Sequence, residues 1–484
     1  MFKLFKFQEN NLLTYSLVFL IIFLGFVFRF YNINYENLWI DEIYSFWVTD
    51  PNLSFTETYL RLQTTESIPF LYYYLVKMCN KIFGYDPIVG RCFSAFFGFL
   101  SIFSVGILCK KFARNKSYLF ATCLISLNIF LIVNSQEMRV YIFTFFLISL
   151  SLIFFLNLYK ENKNKIFTKN FILFSFFIFT AILSHPFAII VLASIIFFLI
   201  LDYFLFSSNN TKVNISLILV SILTIGFLYH YMNYVSLNKI GWIEQPGIKF
   251  FTNFYFSKFF GSRLLGSIYL LALIICCVKF RKSLFQKFNV FSFFIILIIF
   301  SYSIPLLFGY IFYPIILDRY IFFVLIPILC LISHFIFQIT PKLFSYSLAI
   351  LICLITFFNH LFFENTLRQF YTEIYPNKPE IKKVLKHINL SDNSNFTFKT
   401  DDRVEINTNE IYENYYQKYL EKLKLKLNYI SFKKQNDFPD TLWVIYLKDT
   451  TNIDYNISEK FNGYKVVDKK YFNRIELYLL SNKI

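Results

Sequence analysis

Two adjacent carboxylates, Asp41 and Glu42, follow Trp39 shortly after the first strongly apolar run of the sequence. A carboxylate pair beside a membrane could take a proton from an acceptor hydroxyl or hold a metal ion. Taken alone, the stretch 38–45 is more typical of a hydrated turn that a tryptophan anchors at the membrane interface. Its chemical meaning therefore depends on where the other unusual polar residues of the chain fall.

The composition is that of a multi-span membrane protein. Of the 484 residues 57% are hydrophobic and only 16% are charged, which is too little charge for a soluble protein of this size. The net charge of +17 lies mostly in short loops between apolar runs, so membrane topology explains it and nucleic acid is not expected as a partner. The eight cysteines have neither metal-ligand spacing nor the pattern of a disulfide framework.

The apolar runs predict the helices that must position the carboxylates. About eleven runs reach the length of roughly 20 residues that crosses a bilayer. They lie near 12–30, 87–108, 118–134, 141–159, 171–187, 188–206, 213–233, 263–280, 288–308, 318–337 and 343–362. The shorter run 68–83 contains Lys77 and Lys81 and predicts a helix on the membrane surface. We therefore expect an all-α polytopic membrane domain over residues 1–362.

Residues 363–484 change to the composition of a soluble domain. Their pattern predicts helices at 378–389 and 409–425 and strands at 395–400, 426–432, 441–448, 464–472 and 474–480. This alternation indicates a small α/β domain. No Walker motif and no glycine-rich phosphate loop occurs in the sequence, so a nucleotide-binding domain is not expected.

Lysine and arginine are concentrated in alternate loops, which predicts the orientation of the chain. The basic loops lie near residues 3–6, 110–116, 160–169, 212, 279–287 and 342. The first loop of the other set, 31–67, has Arg61 as its only basic residue. Because basic loops remain in the cytoplasm, the N-terminus is predicted to be inside and the C-terminal domain outside the plasma (inner) membrane.

By this topology, the polar residues that interrupt or border the spans gather at the outer face. They are Asp41, Glu42, Arg91, Glu137, Arg139, Tyr141, His185, Arg319 and Tyr320. Charged residues in or near membrane spans are costly, and by default they mark a functional site. Two outer loops, 31–86 and 234–262, are long enough to shape such a site.

The order of these motifs resembles the GT-C superfamily of membrane glycosyltransferases, in the branch of the protein O-mannosyltransferases and the lipid A aminoarabinose transferases. The likeness covers roughly residues 12–330. It rests on Leu38-Trp39-Ile40-Asp41-Glu42, Pro69-Phe70-Leu71-Tyr72-Tyr73, Phe83-Gly84, Arg91, Ser94-Ala95-Phe96-Phe97-Gly98, Ser135-Gln136-Glu137 with Arg139 and Tyr141, Ser184-His185, and Arg319-Tyr320. The chain departs from the family at Ser67-Ile68-Pro69, where many members have a histidine or lysine before the proline.

The resemblance implies transfer of a sugar from a polyprenyl-phosphate donor to an acceptor lipid, glycan or protein at the outer face. Asp41 would be the general base, with Glu42 beside it. Arg91, Arg139, Arg319 and Tyr320 would bind the donor phosphate, and Glu137, Tyr141 and His185 would support them. No cofactor is required by these residues, although a divalent metal is compatible with the carboxylate pair.

Two other functions fit the membrane setting. A transporter or flippase of lipid-linked saccharides would show polar residues near the middle of the membrane, broken helices and repeated halves. An oligosaccharide ligase or polymerase would transfer a whole glycan instead of one sugar. A non-enzymatic scaffold would leave the charges at the outer face unexplained.

Overall fold

The structure is a computed structural model that describes residues 12–34, 37–65, 68–113, 116–161, 167–206, 211–232, 243–279, 281, 290–362, 378–400, 411, 415, 424–430, 438–447, 461 and 463–483. Ser67 and most of the predicted helix 409–425 lie outside these residues. The chain forms two compact units. The first comprises residues 1–33 and 66–367, and the second comprises residues 34–65 and 368–484.

The first unit is helical, and each predicted span coincides with a helix or with a helix pair. Its helices are α1 (Leu12–Phe30), α4 (Leu71–Phe83), α5 (Pro87–Phe112), α6 (Ser117–Leu127), α7 (Ile129–Ser135), α8 (Tyr141–Tyr159), α9 (Lys169–Ser184), α10 (Ala188–Phe206), α11 (Thr211–Met232), α12 (Ile248–Asn253), α13 (Phe256–Phe259), α14 (Arg263–Lys279), α15 (Val290–Ile311), α16 (Asp318–Ile321), α17 (Leu325–Ile336) and α18 (Lys342–Phe362). Helices form here because a backbone in lipid must satisfy its own hydrogen bonds.

Among the described residues, seven helices are long and apolar enough to span a membrane when the continuous stretch Asp318–Ile336, from α16 to α17, counts as one. The number is eight if α6 and α7 form one bent span. The protein is thus a multi-pass membrane protein with the expected mostly helical fold. Helix α1 and helix α9 are apolar but shorter in their described parts. The run 68–83 does contain a helix, α4, and its position on a membrane surface stays a prediction.

The predicted third span is broken at Asn128, where α6 and α7 meet at 55°. The Asn128 side chain accepts a hydrogen bond from the Leu131 backbone N–H at 3.0 Å and so caps α7. Arg29, fully buried on α1, donates to the backbone oxygens of Ile125 and Ser126 at 3.0 Å each. Those carbonyls lose their helical partners at the break, and the guanidinium replaces the missing donors.

The second unit contains a five-stranded sheet with the order β2-β1-β3-β5-β4. The strands are β1 (Asn395–Thr400), β2 (Asn428–Tyr429), β3 (Thr441–Leu447), β4 (Lys465–Phe472) and β5 (Ile475–Ser481). Strand β1 pairs in parallel with β2 and β3, whereas β5 is antiparallel to β3 and β4. The predicted small α/β fold is therefore present at this end of the chain.

Helices also contribute to the described part of the second unit. Helix α19 (Ile381–Asn389) buries Ile381, Val384, Leu385 and Ile388, a spacing that forms one apolar face. Helices α2 (Ile40–Val48) and α3 (Phe55–Thr65) come from the first predicted outer loop. Residues 34–65 thus belong to the same unit as the C-terminal region, whereas the boundary between residues 362 and 363 stays a prediction.

Candidate functional site

Two arginines of the first unit share one tyrosine ring. The guanidinium carbon of Arg139 lies 5.6 Å from the centre of the Tyr141 ring, and that of Arg319 lies 5.8 Å from it. Arg139 also donates to the Tyr141 hydroxyl at 3.5 Å. Arg139 is buried and Arg319 is half-buried. The turn before α8 and the start of α16, which are distant in sequence, thus bring two cations to one place.

Aromatic side chains continue the cluster around the second arginine. The ring centres of His185 and Tyr320 are 5.0 Å apart, and those of Tyr141 and Tyr320 are 5.9 Å apart. Phe187 completes the group at 5.3 Å from Tyr320. These rings, together with Arg319, line a small cavity whose wall also includes Thr144, Phe145, Ala188, Phe322 and Phe323. Four of the predicted site residues, Tyr141, His185, Arg319 and Tyr320, therefore line one cavity.

Contacts of the neighbouring residue Asp318 hold the backbone at Arg319 in place. The Asp318 side chain accepts a hydrogen bond from the Arg319 backbone N–H at 2.7 Å. The same carboxylate forms an ion pair with Lys258 of α13 at 2.8 Å. Just before α13, Phe254 and Tyr255 have φ values of 47° and 63°, a conformation uncommon for residues other than glycine. The Tyr302 hydroxyl donates to the Phe254 carbonyl at 2.9 Å and helps to hold this turn.

His185 contributes as a neutral group. It lies in the turn between α9 and α10, and its side chain is buried. Burial first, and then the Arg139 and Arg319 guanidinium groups, lower the pKa of His185 to about 3. The imidazole is therefore uncharged at neutral pH, and the positive charge at the cavity comes from the arginines.

The structure gives Arg91 a contact with the backbone. Its guanidinium is buried and donates to the Ile33 carbonyl at 2.9 Å, which ties α5 to the chain that leaves α1. Glu137 is half-buried in the turn before α8, and its backbone oxygen accepts from the Arg139 N–H at 2.8 Å. Both residues thus lie in the unit that carries the cavity, and their predicted roles remain predictions.

The two carboxylates of the pair lie in the second unit and differ in their exposure to solvent. Asp41 and Glu42 occupy the first turn of α2, and Asp41 is half-buried. Glu42 is fully buried and forms an ion pair with Lys378 at 3.2 Å. Adjacent positions thus present one accessible carboxylate and one that is enclosed with a lysine.

The different surroundings of Asp41 and Glu42 decide whether the pair could hold a metal ion. A divalent cation prefers several oxygen ligands at once, and the Glu42 oxygen already faces the Lys378 ammonium group. The described part of the chain contains no group of three or more histidine, cysteine, aspartate or glutamate side chains arranged to hold a metal ion. The described residues therefore do not fit a metal site at this pair.

Sequence reasoning missed two residues that organise these regions. Arg29 carried a usable signal, since an arginine inside an apolar run usually has a specific partner. Lys378 carried none, because it meets Glu42 from 336 positions away in a polar segment.

Comparison with known proteins supports the fold. No family model matches the sequence, and no curated protein matches it. The structure is similar to that of ArnT from Cupriavidus metallidurans bound to undecaprenyl phosphate, with a TM-score of 0.53 and 10% identity over 96% of this chain and 97% of that one. The apo state of the same protein gives a TM-score of 0.57 and 12% identity with the same coverage.

A second solved protein shares the architecture. The oligosaccharyltransferase of Archaeoglobus fulgidus, in a complex with zinc and sulfate, gives a TM-score of 0.53 and 13% identity over 89% of this chain and 67% of that one. Both neighbours are members of the GT-C superfamily of membrane transferases. The chain therefore has the GT-C fold, and the resemblance read from its motifs is confirmed at the level of the fold.

Proposed function

We propose that the protein is a glycosyltransferase that moves a sugar from a polyprenyl-phosphate donor to an acceptor on the outer face of the cytoplasmic membrane. The observation that supports this proposal is that Arg139 and Arg319 both lie against the ring of Tyr141, and that Tyr141 and Arg319 line one cavity. Guanidinium groups bind phosphate oxygens in pairs, and apolar helices beside them suit a polyprenyl chain. The fold shared with ArnT, which was solved with undecaprenyl phosphate, is consistent with such a donor.

In this proposal Arg139, Arg319 and Tyr320 bind the donor phosphate, and His185 and Tyr141 hold them in place. The bond between the anomeric carbon and the phosphate oxygen breaks through an oxocarbenium-like state, as in glycoside hydrolysis. The guanidinium groups stabilise the charge that develops on the leaving lipid phosphate. The Arg91 guanidinium donates to the Ile33 carbonyl, and its contact with the donor phosphate remains a prediction.

Asp41 is proposed as the general base. The acceptor hydroxyl attacks the anomeric carbon and gives its proton to the Asp41 carboxylate, while the lipid phosphate departs with the electron pair of the broken bond. Asp41 suits this role better than Glu42, since it is half-buried and Glu42 is enclosed with Lys378.

An oligosaccharide ligase is the second candidate, because the fold is also that of the archaeal oligosaccharyltransferase. The two functions differ in the size of the group that the donor gives up. Intact-mass analysis of envelope glycans from cells with and without the protein distinguishes them. One sugar would add a single monosaccharide mass, whereas a ligase would add the mass of a whole glycan.

The test of the base replaces Asp41 by asparagine in the same cells. Asp41→Asn preserves the size of the side chain but cannot accept the proton, so we expect transfer to fall by roughly a hundredfold or more. Asp392→Asn, at an exposed position of the same unit, is the matched control and should behave as wild type. Near-normal transfer with Asp41→Asn would exclude the base assignment, and an unchanged glycan profile without the protein would exclude the function.

A further inference from the structure

The buried ion pair of the second unit links distant parts of the sequence. The Lys378 ammonium lies 3.2 Å from a Glu42 carboxylate oxygen, and the two side chains are 7% and 0% exposed. Glu42 lies in the first turn of α2, next to Asp41. Lys378 precedes α19 and lies at the start of the described C-terminal region.

Lys378 is itself held by the turn between β4 and β5. The Asn473 side-chain amide donates to the Lys378 carbonyl at 3.0 Å. The Asn473 backbone N–H donates to the Glu380 carboxylate at 3.1 Å, and the Glu380 N–H donates to the Asn473 carbonyl at 3.3 Å. Three hydrogen bonds therefore fasten the segment 378–380 to the hairpin of the sheet.

Two further contacts join the same segment to the chain that leads into α2. The Asn37 side-chain amide donates to the Pro379 carbonyl at 2.9 Å, and the Lys382 ammonium donates to the Asn34 carbonyl at 3.0 Å. With the Glu42 ion pair, residues 378–382 hold positions 34, 37 and 42. The C-terminal region thus restrains the chain on the N-terminal side of Asp41 as well as its direct neighbour.

Stability alone explains this arrangement poorly. Replacing a buried ion pair by apolar residues of similar volume is often neutral or stabilising, because both charges must lose their water. The pair does specify one orientation of α2, however. Successive side chains point about 100° apart around a helix, so holding Glu42 inward determines the direction of Asp41.

We propose that Lys378 is a positioning residue for Asp41, and that the C-terminal region serves to orient the carboxylate through Glu42. The inference rests on the proposed function for the chemical role of Asp41. The contacts from Asn473 to Lys378 and from Lys378 to Glu42 are independent of that role.

The test compares Lys378→Met with Lys378→Arg and with a matched control, Lys386→Met. Lys386 is exposed in the last turn of α19, the helix that follows Lys378, so its replacement removes a nearby lysine and leaves the Lys378–Glu42 ion pair intact. We expect Lys378→Met to lower sugar transfer in the envelope-glycan assay at least about tenfold, with the affinity for undecaprenyl phosphate unchanged, because misorientation impairs the chemical step. Lys378→Arg should recover most of the rate, and Lys386→Met should match wild type.

Hydrogen exchange supplies a readout that does not depend on activity. In Lys378→Met the amides of α2 should exchange faster, while those of the buried strand β3 remain as in wild type. Glu42→Gln combined with Lys378→Met should lose about as much activity as Lys378→Met alone, since both act through one contact.

These measurements distinguish the positioning role of Lys378 from the proposed role of Asp41 as the base. Unchanged exchange in α2, or faster exchange in β3 as well, would overturn the positioning role, because Lys378 would then hold nothing or hold the whole domain. Faster exchange confined to α2 would support the role of the Lys378–Glu42 ion pair in holding α2. Full activity of Asp41→Asn in the same experiment would overturn only the assignment of Asp41 as the base.

Discussion

At the scale of single residues, the choice of arginine at 139 and 319 is informative. Both guanidinium groups lie within 6 Å of the Tyr141 ring centre, where a flat cation can stack on the ring and still present its N–H groups. A lysine would carry the same charge but only as a point, without the planar fork that matches two phosphate oxygens. The geometry therefore favours a ligand that is anionic and has several oxygens.

Arg319→Ala should weaken binding of undecaprenyl phosphate, used as the probe, by about tenfold or more, the usual scale for a lost hydrogen bond to a charged group. Arg319→Lys should fall between wild type and Arg319→Ala, because it preserves charge and loses the fork. Binding is measured on the purified protein in lipid nanodiscs, with undecaprenol as the ligand that lacks the phosphate.

Arg263→Lys is the matched control, since Arg263 is an exposed arginine at the first residue of α14. Its affinity for undecaprenyl phosphate should equal that of wild type. Equal affinities for wild type and Arg319→Ala would show that Arg319 is an interfacial anchor, and a shift in acceptor dependence alone would place it on the acceptor side.

At the scale of elements, the short helix α13 connects a tight helix contact to the cavity. A Cβ atom at Gly266 of α14 would lie 2.6 Å from the Ser257 nitrogen and 2.8 Å from the Phe256 carbonyl carbon. Both are backbone atoms, so neither can rotate away. Helix α13 also carries Lys258, which forms an ion pair with Asp318, the residue before Arg319. Glycine at 266 therefore permits the approach that sets the position of this ion pair.

Gly266→Ala should destabilise the protein by about 1–3 kcal/mol, the usual range when a methyl group enters a space already filled. It should also weaken binding of undecaprenyl phosphate, because α13 must move and take Lys258 with it. The thermal unfolding midpoint of the protein in nanodiscs measures the first effect.

The control is Gly226→Ala in α11, where an added Cβ meets nothing within 4 Å. Alanine is the better helix former, so this change should leave the unfolding midpoint unchanged or raise it slightly. If both alanine variants unfold at the wild-type temperature, α13 is not held by its contact with α14.

At the scale of the whole molecule, the chain builds its second unit from two separate stretches, 34–65 and 368–484. The first stretch carries Asp41 and the second carries the sheet. If both stretches are to fold together, they must be on the same side of the membrane. The alternation of basic loops predicts that this side is the outer one.

Asp440→Cys should react with a membrane-impermeant maleimide added to intact cells. Asp440 precedes β3, and its side chain is 52% exposed, so a cysteine there is accessible to the reagent. Lys116→Cys, in a loop predicted to be cytoplasmic, should react only after lysis. Wild type gives the background of the native cysteines, and labelling of Asp440→Cys only after lysis would refute the predicted orientation.

The sequence by itself determined the helical membrane fold, the α/β character of the C-terminal region and the residue types of the candidate site. These follow from local rules, since apolar length specifies spans and alternation specifies strands. Arg319-Tyr320 and Arg139 with Tyr141 were recognisable because charge beside a span is rare.

Only the tertiary structure decided which of these residues meet. It brought Arg139 and Arg319 to one ring, directed Arg91 to the Ile33 carbonyl and enclosed Glu42 with Lys378. Such pairings join residues up to 336 positions apart, and no local pattern encodes them. They depend on how the helices and the sheet pack, because burial and hydrogen-bond geometry are properties of the folded chain.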